Sequence, residues 1–468
     1  MNVAVIGGGW AGLSAAVYLD RRGLRPVVFE ASRTLGGRAR GVASPRLDAL
    51  VDNGQHILLG AYTETLQLLH DLGLSPSSRL RRNTLSLRYA DNRCALNAWR
   101  LPAPLHLLGG ILTARGLSAG ERLGLIAICG RLRREGWKTT SGSTVGQWLE
   151  RGGQSAHVVR HFWRPLCLAA LNTPVERACA QLFAHVLRDS LGGGAGASDT
   201  LIPRFGLSDL WPERLPARIE IRRGQAVRHL APAAGGVDID GETFDAAVVA
   251  TNAPSALRLL KNLPRSRQGD AYLALLARFE YLPIATLTLA LDTAWGLPAP
   301  MLMLADHPEK CQFGQWLFDR SVFMDPAADG PDRSLAIVIS DARAVQAHTH
   351  DRVAAGAIDQ VKAQTHRFTP MPGVRGHELI IEKRATFAAV PNLERPESAT
   401  PWARVWVAGD WTDTGYPAVL EGAVRSGKRA ADLIAQAAGG GGRQGASVSA
   451  GREPWPARAR SAPANPVD

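Results

Sequence analysis

The sequence predicts an α/β fold: a parallel sheet flanked by helices, with an α+β unit and a helical, basic insertion. Three observations carry that expectation. A short apolar run at residues 3–6 leads into Gly7-Gly8-Gly9-Trp10-Ala11-Gly12, and then Leu13, Ala16, Val17 and Leu19 recur at helical spacing. A second apolar run, Val27-Val28-Phe29, ends on Glu30. Two further buried-type strands, at 246–251 and 405–410, lie far down the chain, and the last precedes a helical stretch at 421–438.

The bulk properties agree. A chain of 468 residues has room for two or three domains at roughly 100–200 residues each. With 46% hydrophobic and 21% charged residues it is neither disordered nor fibrous. No apolar run reaches the ~20 residues of a spanning helix, and residues 1–6 lack the basic start of a signal peptide, so a cytoplasmic protein is expected. Five scattered cysteines without a CxxC pair fit reduced thiols better than a disulfide framework or a metal site. The net charge is +12, yet residues 76–204 alone hold 18 Lys+Arg against 7 Asp+Glu. That one basic stretch asks for a partner. No nucleic-acid module or stacking motif accompanies the arginines, so nucleic acid is not expected.

In chain order, Gly23 is placed to stop the first helix. After Gly73 the pattern reads as mostly helical. Ser118-Ala119-Gly120-Glu121 is a capping box opening a helix with Leu125, Cys129 and Leu132 on one stripe. Thr144-Val145-Gly146-Gln147 opens another, and 174–191 reads as a third. The glycine-rich stretch 192–198 reads as a loop, followed by strands at 218–221, 237–239 and 246–251. Residues 256–395 read as mixed α+β, with strands at 286–291, 335–340 and 379–383. Beyond Gly439 the Gly, Ala, Pro, Ser and Arg composition reads as a tail without a core. The expected division is a discontinuous cofactor-binding domain at 1–75, 205–255 and 396–438, the insertion at 76–204, a substrate domain at 256–395 and the tail at 439–468.

Gly7-x-Gly9-x-x-Gly12 between a strand and a helix, with Glu30 ending the next strand, is a dinucleotide fingerprint in its proper context. The glycines permit a tight turn, close approach of a pyrophosphate and close helix–strand contact, and the helix N-terminus offers unpaired N–H groups. Glu30 is placed to accept hydrogen bonds from adenosine ribose hydroxyls. Gly36-Gly37-Arg38 supplies a second close approach and a guanidinium for the pyrophosphate; the bland alternative is a surface turn with a solvated Arg. Gly409-Asp410 closes the set, an acid for a ribityl hydroxyl, with the helix after Glu421 aiming its positive end at a flavin pyrimidine; alternatively the pair is a plain helix cap. Val227, through its backbone at adenine, and Val419 complete the cofactor candidates.

The strings Val5-Ile6-Gly7-Gly8-Gly9-Trp10-Ala11-Gly12-Leu13 and Val407-Ala408-Gly409-Asp410, with Glu421-Gly422-Ala423-Val424-x-Ser426-Gly427, resemble FAD-dependent amine oxidases and carotenoid desaturases. Asp52-Asn53-Gly54-Gln55-His56-Ile57-Leu58-Leu59-Gly60-Ala61-Tyr62 is similar to a segment of plant-type phytoene and zeta-carotene desaturases. It is closer still to the squalene-associated FAD-dependent desaturases, whose members act as hydroxysqualene dehydroxylases in hopanoid synthesis. Phe162-Trp163-Arg164-Pro165-Leu166, Leu171-Asn172-Thr173-Pro174, Leu201-Ile202-Pro203-Arg204 and Leu207-Ser208-Asp209-Leu210 also fit that family. The likeness runs from residue 1 to about 438. It implies a Rossmann-like FAD-binding domain, FAD as cofactor, and reductive removal of an allylic hydroxyl from hydroxysqualene to give squalene.

Such a reaction needs a hydride from reduced flavin and a proton or hydrogen bond for the departing hydroxide. His56 is a candidate acid, with a structural histidine as the alternative reading. Asp413 and Tyr416 are alternative donors or else loop supports, and Asp52 orients its loop. Trp163, Trp316 and Trp411 are candidates to line the substrate channel or to serve as core.

A long isoprenoid must be drawn from a bilayer. The stretch 99–112 suits an interfacial segment, with Arg79, Arg81, Arg82, Arg115, Arg131, Arg133 and Arg134 facing anionic headgroups at about 1 kcal/mol each; the alternative is a buried helix with a solvated basic face. The resulting expectation is peripheral association with the inner face of the cell membrane, the enzymes supplying the substrate being further candidate partners. Competing expectations are a carotenoid desaturase or amine oxidase of the same fold, and a non-enzymatic prenyl-carrying escort protein. The intact Gly7, Gly9, Gly12, Glu30, Arg38 and Asp410 weigh against the last.

Overall fold

The computed structural model describes residues 1–325, 333–368 and 370–439. The tail assigned to 439–468 lies outside the described residues from 440 onward.

Five short strands form one parallel sheet in the spatial order Glu220–Arg223, Arg25–Glu30, Asn2–Ile6, Ala246–Val249 and Val405–Val407. Val5 sits at its centre, paired with Val28 on one side and Val248 on the other. These strands read as unbroken apolar runs because both faces are covered. On one face lie Trp10–Arg21 and the long closing helix Leu420–Gly439. The two helices meet backbone to backbone: a Cβ on Gly427 would stand 2.1 Å from Ser14 Oγ and 2.3 Å from Ala11 O. A three-stranded antiparallel meander, Leu230–Ala233, Gly236–Ile239 and Glu242–Phe244, lies between the third and fourth sheet strands in chain order and packs Phe244 edge-on against Phe29.

A second, antiparallel sheet runs Met301–Met303, Trp316–Asp319, Ser334–Ile339, Tyr281–Leu291 and Val374–Phe387. Helix His350–Thr365 lies near it, tied down by Gln360 and Gln364, whose buried amides bond the Ala305 and Gly314 backbone.

The basic segment begins differently from expectation. Residues 80–97 are not helical: Leu80–Asn83 pairs with Thr200–Pro203, and Ser86–Arg88 pairs with Ala95–Asn97. After the one-turn helix Pro76–Arg79, helices resume at Leu105–Leu112 and continue with Ala119–Arg134, Val145–Arg151, Arg164–Leu171 and Ala180–Ser190. Both capping boxes form, Ser118 with Glu121 and Thr144 with Gln147. The stripe of the second helix is Leu125, Ile128 and Leu132, with Cys129 only half-buried. The helix expected over 174–191 starts at Ala180, because Val145 N–H and Gly146 N–H take the carbonyls of Ala178 and Val175 and hold the preceding turn. Asn172, in the left-handed region (φ 48°), stitches this helical unit to the second sheet: its Nδ2 donates to Thr386 Oγ1 at 2.9 Å, and its Oδ1 accepts from Asp341 N–H at 2.6 Å.

Candidate active site

The fingerprint turn is built from close backbone approaches. A Cβ on Gly12 would stand 1.9 Å from Gly7 O, so no other residue fits there without moving the turn. Gly7 has φ +116°, a conformation open to glycine. The next loop lies against this one: Gly36 N–H donates to Gly8 O at 2.9 Å, and a Gly37 Cβ would stand 3.0 Å from Gly9 Cα. The Glu30 carboxylate spans both, accepting from Gly8 N–H and Ser32 N–H, each at 2.7 Å.

Arg38 reaches across to the far end of the chain. Its Nη2 lies 2.8 Å from Asp410 Oδ1 and its Nη1 donates to Ala385 O at 2.6 Å. Burial works against the guanidinium charge, but the Asp410 carboxylate outweighs it and holds Arg38 firmly protonated. Gly409 N–H donates to Ser426 Oγ at 2.8 Å, and a Cβ there would collide with the Trp411 ring.

These groups line a cavity of about 1060 Å³. Gly7, Gly9, Glu30, Gly36, Gly37, Arg38, Val227, Gly409, Asp410 and Val419 all line it, and Gly12 lies beneath in the turn. The first turn of the closing helix contributes Leu420 and Ala423. The same cavity is lined by apolar side chains as well: Leu107, Phe162 and Leu166 from the helical segment, and Trp316, Phe318 and Val338 of the second sheet.

FAD fits these residues. The glycine turns let backbone segments approach more closely than any Cβ would allow, Glu30 and Asp410 carry carboxylates that could accept from ribose and ribityl hydroxyls, and Arg38 carries a guanidinium that could serve the pyrophosphate. The class so defined is the FAD-dependent oxidoreductases. The chain belongs to the flavin-containing amine oxidoreductase family, whose model matches residues 10–435, and within it to the squalene-associated branch. It is 32% identical to hydroxysqualene dehydroxylase from Rhodopseudomonas palustris, over 92% of this chain and 98% of that protein. It is 29% identical to hydroxysqualene dehydroxylase from Sinorhizobium fredii, with the same coverage of both chains. Among solved structures, cyclohexylamine oxidase from Brevibacterium oxydans superposes with a TM-score of 0.65 at 16% identity, over 94% of this chain and 99% of that one. That likeness is one of fold.

The three donor candidates separate. His56 lines the cavity, its Nδ1 2.8 Å from Gly54 O, and burial pulls its pKa below the ordinary imidazole value. The ring is therefore neutral with its proton on Nδ1, and Nε2 makes no hydrogen bond among the described residues. Tyr416 also lines the cavity, but its hydroxyl donates to Asp189 Oδ2 at 2.5 Å. Burial and that carboxylate raise the phenol pKa, so it holds its proton. Asp413 is exposed and does not line the cavity; its N–H donates to Pro396 O at 2.8 Å. Its side chain is directed by the turn to solvent, which removes it from the donors.

The tryptophans separate as well. Trp316 lines the cavity. Trp163 and Trp411 are fully buried core, their indole N–H groups donating to Gln154 Oε1 and Thr251 O at 2.9 Å each. Asp52 holds its loop by accepting from Leu207 N–H at 2.8 Å, with buried Arg320 3.4 Å away.

Sequence reasoning passed over Arg395, which organises the whole 410–416 loop. Its guanidinium donates to the carbonyls of Asp410, Trp411, Thr412 and Tyr416 and lies over the Phe387 ring. It also passed over the role of Glu421. That buried carboxylate accepts from Glu64 N–H, Thr65 N–H and Thr65 Oγ, capping helix Thr63–Asp71 from a distant part of the chain. Arg395 has no local sequence signal, since its partners are remote and mostly backbone carbonyls, and the capping role of Glu421 has none either, although Arg425 pairs with it one turn along its own helix.

Proposed function

We propose that this enzyme is a hydroxysqualene dehydroxylase, converting an allylic thirty-carbon alcohol to squalene for hopanoid synthesis. The observation that carries the reading is one cavity lined both by the dinucleotide-type residues Gly7, Gly9, Glu30, Gly36, Gly37 and Arg38 and by the apolar side chains Leu107, Phe162, Leu166, Trp316 and Phe318. Its relatives of that name, matched over nearly their whole length, support the same substrate class.

FAD, when bound and reduced, supplies the hydride that replaces the hydroxyl. The chain's own residues do the rest. Leu107, Phe162, Leu166, Trp316 and Phe318 hold the hydrocarbon and keep bulk water from the allylic carbon. Aromatic faces at Phe162, Trp316 and Phe318 favour positive charge developing there. The departing oxygen takes up a proton drawn from solvent and leaves as water. His56 Nε2 is the cavity-facing group free to make a hydrogen bond to the hydroxyl, while Tyr416 and Asp189 stay paired with one another.

The same reading includes docking on an anionic membrane. No helix among the described residues is long and apolar enough to cross a bilayer. Helix Leu105–Leu112 instead presents Leu105, Gly109 and Leu112 on one stripe, and the Trp99 ring packs on Gly109. Trp99, Leu101, Leu105 and Leu112 are 47, 44, 51 and 49% exposed, with Arg100 and Arg115 exposed alongside. Leu107, on the buried side of that helix, lines the cavity. One helix thus separates an apolar surface patch from an apolar cavity, which suits delivery of a bilayer-dissolved substrate.

The decisive experiment is an anaerobic incubation of the reduced enzyme with hydroxysqualene. Squalene and re-oxidised flavin in equal amounts are expected. No squalene, with turnover of phytoene or of an amine instead, overturns the reading.

A further inference from the structure

With apolar residues on its inner strands and the polar Glu382, Lys383 and Arg384 on its edge strand, the antiparallel sheet lines part of the cavity. Ile284, Trp316, Phe318 and Val338 line it, and Thr286 stands among them, cross-strand from Val338, which is itself paired with Trp316. Thr286 is 3% exposed, and its Oγ1 has no hydrogen-bond partner. A buried hydroxyl left unpaired costs on the order of 1–3 kcal/mol, so its presence in such a face calls for a partner that arrives with a ligand. Threonine is also not needed for the strand, since valine fills the same space and has the same branching.

The hydroxyl has a neighbour of complementary chemistry. The point where a Gly54 Cβ would stand lies 3.0 Å from His56 Cε1, 3.4 Å from His56 Nδ1 and 3.9 Å from Thr286 Oγ1. The imidazole and the threonine hydroxyl therefore both lie within 4 Å of one point beside Gly54, which a side chain at position 54 would crowd. With the His56 proton on Nδ1 and committed to Gly54 O, Nε2 is an acceptor. Thr286 offers an O–H with no other acceptor among the described residues.

We infer that Thr286 and His56 together form a hydroxyl-recognising subsite, Thr286 donating to the substrate oxygen and His56 Nε2 accepting its hydrogen. An alcohol satisfies both groups at once, whereas a hydrocarbon satisfies neither. Thr286 is thus a positioning and specificity residue: it selects the alcohol over squalene and places the carbon–oxygen bond to be broken. Once the oxygen has left as water, the remaining hydrocarbon has no hold at this point, which favours product release. This assignment rests on the dehydroxylase reading and names the polar subsite within it.

The test compares Thr286→Val and Thr286→Ser with wild type, all as FAD-loaded enzyme. Binding of hydroxysqualene and of squalene is followed by perturbation of the flavin spectrum, beside KM and kcat. Thr286→Val is expected to keep its flavin content and melting temperature, bind squalene as wild type does, and lose about tenfold in affinity for the alcohol; Thr286→Ser is expected to restore it. Equal loss for alcohol and hydrocarbon, or no loss for either, overturns the subsite. A wild-type enzyme that prefers the alcohol but does not turn it over contradicts the dehydroxylase reading and leaves the subsite standing. One that binds both equally removes the subsite, whatever its turnover.

Discussion

Arg38 Nη2 lies 2.8 Å from Asp410 Oδ1, joining the loop after the second strand to the loop after the last. The two residues expected to hold opposite parts of the cofactor are thereby one unit. Asp410→Asn should weaken both ends together, lowering FAD affinity about tenfold, as loss of a hydrogen bond to a charged group commonly does. Arg38→Lys should do the same, because a single ammonium does not readily hold Asp410 and Ala385 O at once. Flavin absorbance per protein after dialysis checks both; undiminished retention would contradict the pairing.

Arg395 is the keystone of the 410–416 loop. Burial pushes its pKa down to about 10, so it remains charged at neutral pH while donating to four carbonyls. Arg395→Met keeps the bulk over Phe387 and removes every donor. The expected result is rapid protease cleavage within 410–416 and poor flavin retention, with the far parallel strands unaffected by hydrogen exchange.

The docking surface predicts a separable defect. Leu105→Asp combined with Leu112→Asp changes exposed side chains, so flavin content and melting temperature should stay near wild type. Sedimentation with anionic vesicles should fall markedly, and residual binding should be more sensitive to salt. Unchanged vesicle binding would remove this face from consideration.

The histidines set an acid limit on stability. Burial depresses the pKa of His56, His106 and His185 in the fold below the ordinary imidazole value. Between the depressed values and the unfolded value of about 6.5, the unfolded chain binds more protons than the native one. Stability therefore rises with pH through that window and falls as pH drops below about 6.5. Thermal melts across this range should show it, and His185→Gln should flatten the slope in part, since the only hydrogen bond of the His185 side chain among the described residues is to Gly415 O.

The element errors show where local reading stops. Residues 80–83 carry Leu-Arg-Arg-Asn, unremarkable for either state, and become a strand because Thr200–Pro203 offers a partner edge more than a hundred residues later. Trp163 and Trp411 look like channel residues by size alone; both rings are fully buried and their indole N–H groups find acceptors in Gln154 Oε1 and Thr251 O, and that decides for core. Tyr416 and Asp413 are three residues apart in one turn, yet one faces the cavity and the other solvent.

By itself the sequence determined the cofactor, the sheet that carries it and the place of the positive charge. Each depends on residues close together in the chain: glycines that bring backbones into contact, an acid one strand later, a run of arginines. Only the tertiary structure decided which side chains face the reacting end. The Tyr416 hydroxyl is committed to Asp189, Arg395 gathers a loop through backbone carbonyls, and Thr286 is left without a partner beside His56. Hydrogen bonds act over about 3 Å, whatever the separation along the chain, so these assignments exist only once the fold has brought the partners together.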